Sequence, residues 1–278
     1  MIPIRKKKVH SVADRIGLIA GNRRFPVLFC EEARKRGVSV VAVAIRGETS
    51  RRLARMVDTI HWLSLGDFER AYDIFHAEKI TRVVMAGQIS PRRLFSRQVK
   101  NNKAIQELLN SIVDRRANTI FGAIANRMSS EGLTLIDSTT FLQSFVPKSG
   151  VLTRRQPSDN EWADIRFGMD LARKVADLDI GLAVAVKNKA IVAVEALEGT
   201  DNLISRAGRI CKGLVIAKAG RPAQDMRFDI PVIGLQTIKT LIRAHVSCLG
   251  VEAGKTLIID MKSAIDLADK KGLAVVAV

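Results

Sequence analysis

Residues 16–45 read IGLIAGNRRFPVLFCEEARKRGVSVVAVAI, and the order of signals in that stretch decides the fold. A short apolar run, Ile16 to Ala20, closes on Gly21-Asn22-Arg23-Arg24. Apolar residues then recur at helical spacing (Phe25, Leu28, Phe29, Ala33) until Gly37 stops them. Val38 to Ile45 follows as a nearly continuous β-branched run. Strand, glycine turn, helix, glycine stop, strand is a βαβ unit, and the unbroken second run predicts a strand buried on both faces of a parallel sheet. The grammar repeats. A helix is expected over Phe68–Lys79, a third strand over Arg82–Gly87, helices over Asn102–Val113 and Asp114–Arg127, and a strand at Thr134–Asp137, with Ser138-Thr139-Thr140 capping another helix. The fold class expected is α/β, with an N-terminal Rossmann-like open parallel sheet.

Between Phe145 and Ser158 the periodicity lapses into Val-Pro-Lys-Ser-Gly-Val-Leu-Thr-Arg-Arg-Gln-Pro, the composition of a crossing between domains. The division expected is 1–146 as a nucleotide- or substrate-binding domain, 147–157 as a linker, and 158–278 as a C-terminal mixed α/β catalytic domain. In that second half Trp162 to Leu178 is an amphipathic helix and Leu182 to Ala196 a hairpin turning at Asn188. Thr200 or Asp201 caps a helix to about Cys211, strands stand at Leu214 and Ile230, and a helix runs from Thr237 to about Cys248. Leu257 to Asp260, a helix to Lys271 and Leu273 to Val278 close the chain.

The chain has 278 residues and a formal charge of +17, which favours polyanionic partners: nucleic acid, an acidic membrane face or phosphorylated substrates. Only 5% of residues are aromatic, and the cations are spread along the chain, so nucleic acid is not the expected partner. The pairs and runs Arg5-Lys6-Lys7-Lys8, Arg23-Arg24, Arg51-Arg52, Arg92-Arg93, Arg115-Arg116 and Arg154-Arg155 suit a membrane-facing surface or, singly, solvated charge. Cys30, Cys211 and Cys248 show no C-x-x-C spacing and read as buried free thiols of a reducing compartment. No apolar run approaches the roughly 18 residues of a membrane span, and no apolar stretch of a signal peptide follows the basic N-terminus. A cytoplasmic protein is expected.

The segment richest in chemistry is Lys218-Ala-Gly-Arg-Pro-Ala-Gln-Asp-Met-Arg-Phe-Asp-Ile-Pro-Val-Ile-Gly234, which joins two apolar runs. If it is extended, Asp225, Arg227 and Asp229 share one face, and Met226, Phe228 and Ile230 share the other. Two carboxylates and a guanidinium on one rigid element suit a phosphate or metal site, and equally a solvated Asp–Arg–Asp ladder. Gly21 and Asn22 stand at a helix N-terminus, where free amides favour an anion, with Gly87 and Gln88 expected in the same crevice at the strand ends. No ribose-binding acid is evident after the second strand, where Arg46-Gly47-Glu48 follows Ile45. Glu195, Glu198 and Asp201 are candidates with Asp225 for a divalent cation, and Thr200 for phosphate. Mg²⁺ is the candidate ion because it takes oxygen ligands and bridges phosphates. The four histidines show no H-x-x-x-H pattern, and neither a G-K-[ST] P-loop nor a G-x-S-x-G elbow is present. Hydrolysis of a phosphoanhydride fits this set, with Asp225 orienting water or holding metal and Arg227 and Lys218 neutralising phosphate charge.

Four motifs, Ile16-Gly-Leu-Ile-Ala-Gly21 with Phe25-Pro26, Val83-Val-Met-Ala-Gly-Gln-Ile89, Val194-Glu-Ala-Leu-Glu-Gly-Thr-Asp201 and Lys218-x-x-x-Pro-x-Gln-Asp-x-Arg-x-Asp-x-Pro-x-x-Gly234, resemble one family. It is the UDP-2,3-diacylglucosamine pyrophosphatases of the LpxI type, from lipid A biosynthesis in Gram-negative bacteria. The resemblance runs from about Ile16 onward, and Asn22-Arg23-Arg24 departs from the family's glycine-richer turn. It implies hydrolysis of UDP-2,3-diacylglucosamine to UMP and 2,3-diacylglucosamine 1-phosphate, Mg²⁺ dependence, a homodimer and work at the cytoplasmic face of the inner membrane. The family's catalytic aspartate maps onto Asp225; Gln224 and Asp229 beside it are candidate substrate contacts, with Asp229 open between a role at the site and holding Arg227 in place. The competing expectations are a Rossmann-type nucleotide-sugar enzyme and a non-enzymatic protein that binds anionic lipid or nucleic acid.

Overall fold

The apolar run at Ile16 becomes the central strand of a five-stranded parallel sheet in the computed structural model, which describes residues 15–90, 102–114, 116–221 and 223–278. The described residues form two compact units, the first ending at Phe141 and the second running from Leu142 to Val278. In the first unit the strands are β1 (Arg15–Ala20), β2 (Ser39–Ile45), β3 (Thr59–Leu63), β4 (Arg82–Ala86) and β5 (Thr134–Leu135). Their order is β3-β2-β1-β4-β5, with every pairing parallel. β2 is buried from Val40 to Ile45, as its continuous apolar run requires. Between β1 and β2 lies α1 (Phe25–Lys35), which starts on Pro26 in its first turn and buries Leu28, Phe29, Cys30 and Ala33. The order reverses at β1, whose neighbours are β2 and β4. This places the topological switch point, where such sheets bind ligands, at the ends of β1 and β4.

Two expectations fail in this unit. The strand at Arg82 is the fourth, because β3 lies before it. Thr59-Ile-His-Trp-Leu63 buries only Leu63 fully, so this edge strand lacks the apolar run that marks its neighbours. Ser138-Thr139-Thr140 caps no α-helix. Asp137 Oδ1 accepts from both the amide and the hydroxyl of Thr139 at 2.6 Å, and the Ser138 hydroxyl donates to Met85 O. These local bonds close a turn in place of a helix start. Among the described residues the other α-helices of the first half are α2 (Arg70–Ala77), α3 (Lys103–Asn110) and α4 (Ala117–Ser130).

The second unit is a three-layer α/β/α arrangement. Its six-stranded sheet has the order β6 (Gly150–Val151), β13 (Ala274–Ala277), β11 (Cys248–Val251), β9 (Val215–Lys218), β7 (Ala183–Lys187), β8 (Ala190–Val194). Strands β13, β11 and β9 are parallel, and β6, β7 and β8 run antiparallel to their neighbours. Alternate residues of each strand serve different layers. Val184, Val186, Val215 and Ala217 pack on Ile165, Met169 and Ala172 of α5 (Asp159–Asp177). Ala183, Ala185 and Ile216 pack on the opposite layer, with Leu203, Ile238 and Ala264 from α6 (Thr200–Ile210), α7 (Leu235–Arg243) and α8 (Met261–Lys270). A separate parallel pair, β10 (Val232–Gly234) with β12 (Leu257–Ile259), completes the unit.

The hairpin turns at Asn188 and Lys189, both at positive φ. β11 is missing from the sequence reading: the helix expected to reach Cys248 stops at Arg243, with His245 at φ 53 breaking it. Within the 147–157 stretch, Gly150 and Val151 pair with Ala277 and Val276, and the Val275 amide donates to Thr153 Oγ1. Cys30, Cys211 and Cys248 are free thiols, and burial pushes Cys30 and Cys248 up to about 12, so both stay protonated at neutral pH. Among the described residues no helix is long and apolar enough to cross a membrane.

Close helix packing yields a paired prediction. A Cβ on Gly208 would lie 2.6 Å from Ala244 Cβ and 3.0 Å from its Cα, where α6 meets the end of α7, whereas one on Gly122 of α4 meets nothing within 4 Å. Gly208→Ala is expected to destabilise by about 1–3 kcal/mol through overpacking. Gly122→Ala should stabilise by up to about 1 kcal/mol through helix propensity. Urea melts of the two variants against the parent check both signs.

Candidate active site

The Lys218–Gly234 segment does join two strands, but they belong to different sheets: β9 to the six-stranded sheet and β10 to the pair with β12. Its middle is not extended. The amides of Phe228 and Asp229 both donate to Asp225 O, at 3.3 and 3.0 Å, so residues 225–229 form one helical turn. The alternating faces expected of a strand are therefore absent, and Met226, Phe228 and Ile230 are only half-buried. The reason lies in the backbone bonding. Among the described residues between Gly220 and Ile230 none pairs with a strand, so the backbone there is met largely by side chains of the segment and of residues 252–255.

Those side chains are specific. The Gly220 amide donates to Glu252 Oε2 at 2.7 Å, the Arg221 amide to Gln224 Oε1 at 2.6 Å, and Gln224 Nε2 to the carbonyl of Asp229. Lys255 Nζ donates to Arg221 O at 2.9 Å. Arg221 pairs with Asp229 at 2.5 Å and with Asp179 at 3.0 Å. Gln224, read as a substrate contact, thus spends both ends of its amide on holding the loop. Asp229 holds Arg221 where the sequence suggested Arg227. Glu252, which the sequence reading passed over, is 8% exposed and also meets Arg173 at 3.3 Å and Lys255 at 3.4 Å. It directly follows the strand that the reading missed.

At the outer part of this loop Asp225 and Arg227 form a bidentate pair. Arg227 Nε donates to Oδ1 at 2.9 Å and an Nη to Oδ2 at 2.7 Å, and the Arg227 amide also donates to Oδ1 at 3.0 Å. The side chains are 32% and 41% exposed, which leaves both open to a ligand. The Arg227 guanidinium holds the Asp225 carboxyl below its ordinary value, against the opposing effect of burial, and Asp225 in turn raises Arg227. Both shifts favour the charged forms, an anionic Asp225 beside a cationic Arg227.

Lys218 sits differently. It ends β9 at 3% exposure, donates to Thr200 Oγ1 at 2.9 Å, and lies 3.7 Å from Glu195 Oε2. Thr200 Oγ1 donates to Glu195 Oε1 at 2.8 Å, and the Leu182 amide to Oε2 at 3.2 Å. The three form a cluster at the N-terminus of α6, with Lys218 and Glu195 buried and Thr200 half-buried. The cap of that helix is Gly199, not Thr200 or Asp201: the position takes φ 83, which favours glycine, and the Thr200 hydroxyl is given to Glu195. Asp201 stands in the first turn, where a carboxylate suits the helix dipole. Glu198 pairs with Arg206 at 2.6 Å. Asp225, Glu195, Glu198 and Asp201 are thus not gathered as a cage. Among the described residues no group of three His, Cys, Asp or Glu side chains is placed to hold a metal.

In the first unit the loops after β1 and β4 are stitched together at the switch point. The Gly21 amide donates to Ala86 O at 2.8 Å and the Asn22 amide to Gln88 O at 2.7 Å. A Cβ on Gly21 would lie 2.5 Å from Gln88 O, and Gly87, at φ 88, leaves no room for one beside Asn22 O. The four residues read as one crevice, Gly21, Asn22, Gly87 and Gln88, are together. Glu48 was missed: Asn22 Nδ2 donates to its Oε2 at 2.7 Å and the Ser90 amide at 3.0 Å, so this acid at the end of β2 ties the two loops. The signal was Glu48 itself, three residues past Ile45. Of the basic clusters, Arg5 to Lys8, Arg92-Arg93 and Arg115 lie outside the described residues. Arg24 pairs with Glu31, Arg154 with Asp269 and Arg155 with Glu161.

Two family models meet this geometry: the LpxI N-terminal domain matches residues 15–145 and the LpxI C-terminal domain residues 148–276. The chain belongs to the LpxI family. A relative in Caulobacter vibrioides, named UDP-2,3-diacylglucosamine pyrophosphatase LpxI, is 28% identical over 275 residues, spanning 95% of this chain and 97% of that one. Among solved structures, the biotin carboxylase subunit of pyruvate carboxylase is similar at 12% identity and a TM-score of 0.27, over 70% of this chain and 41% of that one. The biotin carboxylase domain of a thermophilic 2-oxoglutarate carboxylase reaches 10% and 0.24, over 62% and 34%. The chain spans well under half of those structures' length, and likeness at such scores carries no argument. Within the LpxI family, the Asp225 loop of this chain is the Gln-Asp-x-Arg motif on which the resemblance rested.

The pairing of Asp225 with Arg227 predicts a titration. Arg227→Gln should raise the Asp225 carboxyl toward its ordinary value near 3.8, followed by carboxylate ¹³C NMR. Because the folded value is lowered, the linked stability is present above the unfolded value and lost as pH falls through the folded one. Asp225→Asn should remove that acid-side dependence.

Proposed function

We propose that this protein hydrolyses the pyrophosphate of UDP-2,3-diacylglucosamine to UMP and 2,3-diacylglucosamine 1-phosphate, with Mg²⁺. Membership of the LpxI family and the named activity of the Caulobacter relative support the reaction class. The observation that carries it is the Asp225–Arg227 pair, an ionised carboxylate and a guanidinium half-exposed on a loop that is otherwise tied down. In the reaction the oxygen of water bonds to one phosphorus while that phosphorus loses its bond to the bridging oxygen. The bridging oxygen leaves with the other phosphate, and two monoesters result.

A carboxylate held below its ordinary range is a weak proton acceptor at neutral pH. Asp225 therefore suits orienting water or ligating a cation better than deprotonating water on its own. Mg²⁺ commonly takes one or two carboxylates together with substrate phosphates and water, so a single protein carboxylate fits it where a cage would not. Asp225 is the residue proposed to hold it, and the ion when bound supplies charge neutralisation at the non-bridging phosphate oxygens. Arg227 is proposed to exchange Asp225 for phosphate oxygens, to which its planar fork is matched. Lys218, out of solvent's reach, acts from behind Thr200, whose hydroxyl lies in the first turn of α6 where helix amides favour phosphate. In the first unit the loops at Gly21–Asn22 and Gly87–Gln88 are proposed to bind nucleotide at the strand ends. The amphiphilic substrate and the +17 charge support work at the cytoplasmic face of the inner membrane, as a peripheral homodimer.

Two outcomes test this. Asp225→Ala is expected to cut UMP release by at least about 100-fold, in line with the loss of a positioned carboxylate, with the circular dichroism spectrum unchanged. Turnover equal to the parent in that variant would falsify the assignment. EDTA should abolish UMP release by the parent and added Mg²⁺ restore it.

A further inference from the structure

Arg221 draws in two carboxylates from separate parts of the chain. Asp229 lies eight residues on at 2.5 Å, and Asp179, in the turn after α5, lies at 3.0 Å. The Arg221 side chain is 15% exposed, and its Nε is buried with no hydrogen-bond partner among the described residues. A guanidinium placed this way, with one donor unused, is committed to geometry at the expense of full hydrogen bonding. Asp179 is also held at φ 58, a left-handed conformation that few residues other than glycine, asparagine and aspartate adopt readily. That conformation closes the C-terminus of α5, with the Ile180 amide donating to Val175 O at 3.1 Å, and the side chain at this fixed position meets Arg221. The other partner matters for the site. The Asp229 amide donates to Asp225 O, so whatever fixes Asp229 fixes the turn that Asp225 opens.

We infer that Arg221, clamped between Asp179 and Asp229, is a positioning residue that sets the orientation of the Asp225–Arg227 pair toward the phosphates. This deepens the proposed pyrophosphatase reading and rests on it for its kinetic consequence. Arg221 touches neither reacting atom in this account. It anchors the loop between β9 and β10 to the turn after α5. Both carboxylates meet the same terminal nitrogen, Nη2, so one guanidinium end ties the two segments together.

Asp179→Asn is the informative variant, because asparagine tolerates the left-handed backbone and only the charge is lost. Its kcat for UMP release from UDP-2,3-diacylglucosamine should fall about 10–30-fold with KM within about threefold, the signature of misplacement near the reacting groups. Native-state hydrogen exchange at the Asp229 amide should accelerate about tenfold or more while the amides of β9 and β11 keep their protection. Arg221→Ala should lose about 100-fold in kcat and regain part of it with added guanidinium ion. Unchanged exchange at Asp229 in Asp179→Asn overturns the inference, as does parental kcat. Exchange that quickens equally in β9 and β11 also overturns it, since that marks general loss of stability. If the parent protein releases no UMP, the pyrophosphatase reading fails, and the exchange measurement alone decides the clamp.

Discussion

The second unit is governed by one backbone constraint. The chain leaves a six-stranded sheet at Lys218 and enters a different, two-stranded one at Val232, and among the described residues from Gly220 to Ile230 none pairs with a strand. Their amides and carbonyls need partners, because an unpaired buried polar group costs about 1–3 kcal/mol. Glu252, Gln224, Lys255 and Asp225 itself provide them. The acidic and basic residues of the motif are therefore largely structural in their bonding. What remains available at the outside of the loop is the Asp225–Arg227 pair. A loop ordered by side chains in this way presents a charged pair with little conformational freedom, and that is the condition for electrostatic stabilisation of a phosphoryl transition state.

The same bonding sharpens the chemistry. Arg227 lowers the carboxyl of Asp225 and so weakens it as a base while keeping it anionic. Its value lies in attracting a cation or orienting a water. The carboxylates around α6 take other roles: Glu195 neutralises a buried Lys218, and Glu198 meets Arg206. A buried pair such as Lys218 with Glu195 is costly to break from one side, since an uncompensated charge stays in the interior. Lys218 accordingly has a reason to be present beyond any contact with phosphate.

Much of the first unit was legible. The apolar runs at Ile16 and Val38 and the glycines at 21 and 37 specify β1, α1 and β2 because strand burial on two faces requires continuous apolar sequence. β3 was not legible, since an edge strand containing His61 and Trp62 needs only one buried residue. β11 was hidden because Cys248-Leu-Gly-Val251 is short and continues the apolar pattern of α7. At the site, the chemistry-bearing residues were visible as types, but their partners were not. Alternation suggested that Asp225, Arg227 and Asp229 share a face. Only the lack of a neighbouring strand, a property of the topology, turns 225–229 into a helical turn and sends Asp229 to Arg221. Glu48 and Glu252 were passed over for a related reason: each acts on loops distant in sequence, and no local pattern marks that.

The central claim is that water cleaves a phosphoanhydride at the Asp225 loop. ³¹P NMR of UDP-2,3-diacylglucosamine incubated with the protein and Mg²⁺ in water enriched in ¹⁸O tests it most directly. The account predicts that the diphosphate signals give way to two monoester signals, one of them showing the isotope shift of a newly bonded ¹⁸O, and that the Asp225→Asn protein leaves the diphosphate intact. Persistence of the diphosphate with the parent protein, or equal cleavage by the variant, would contradict it.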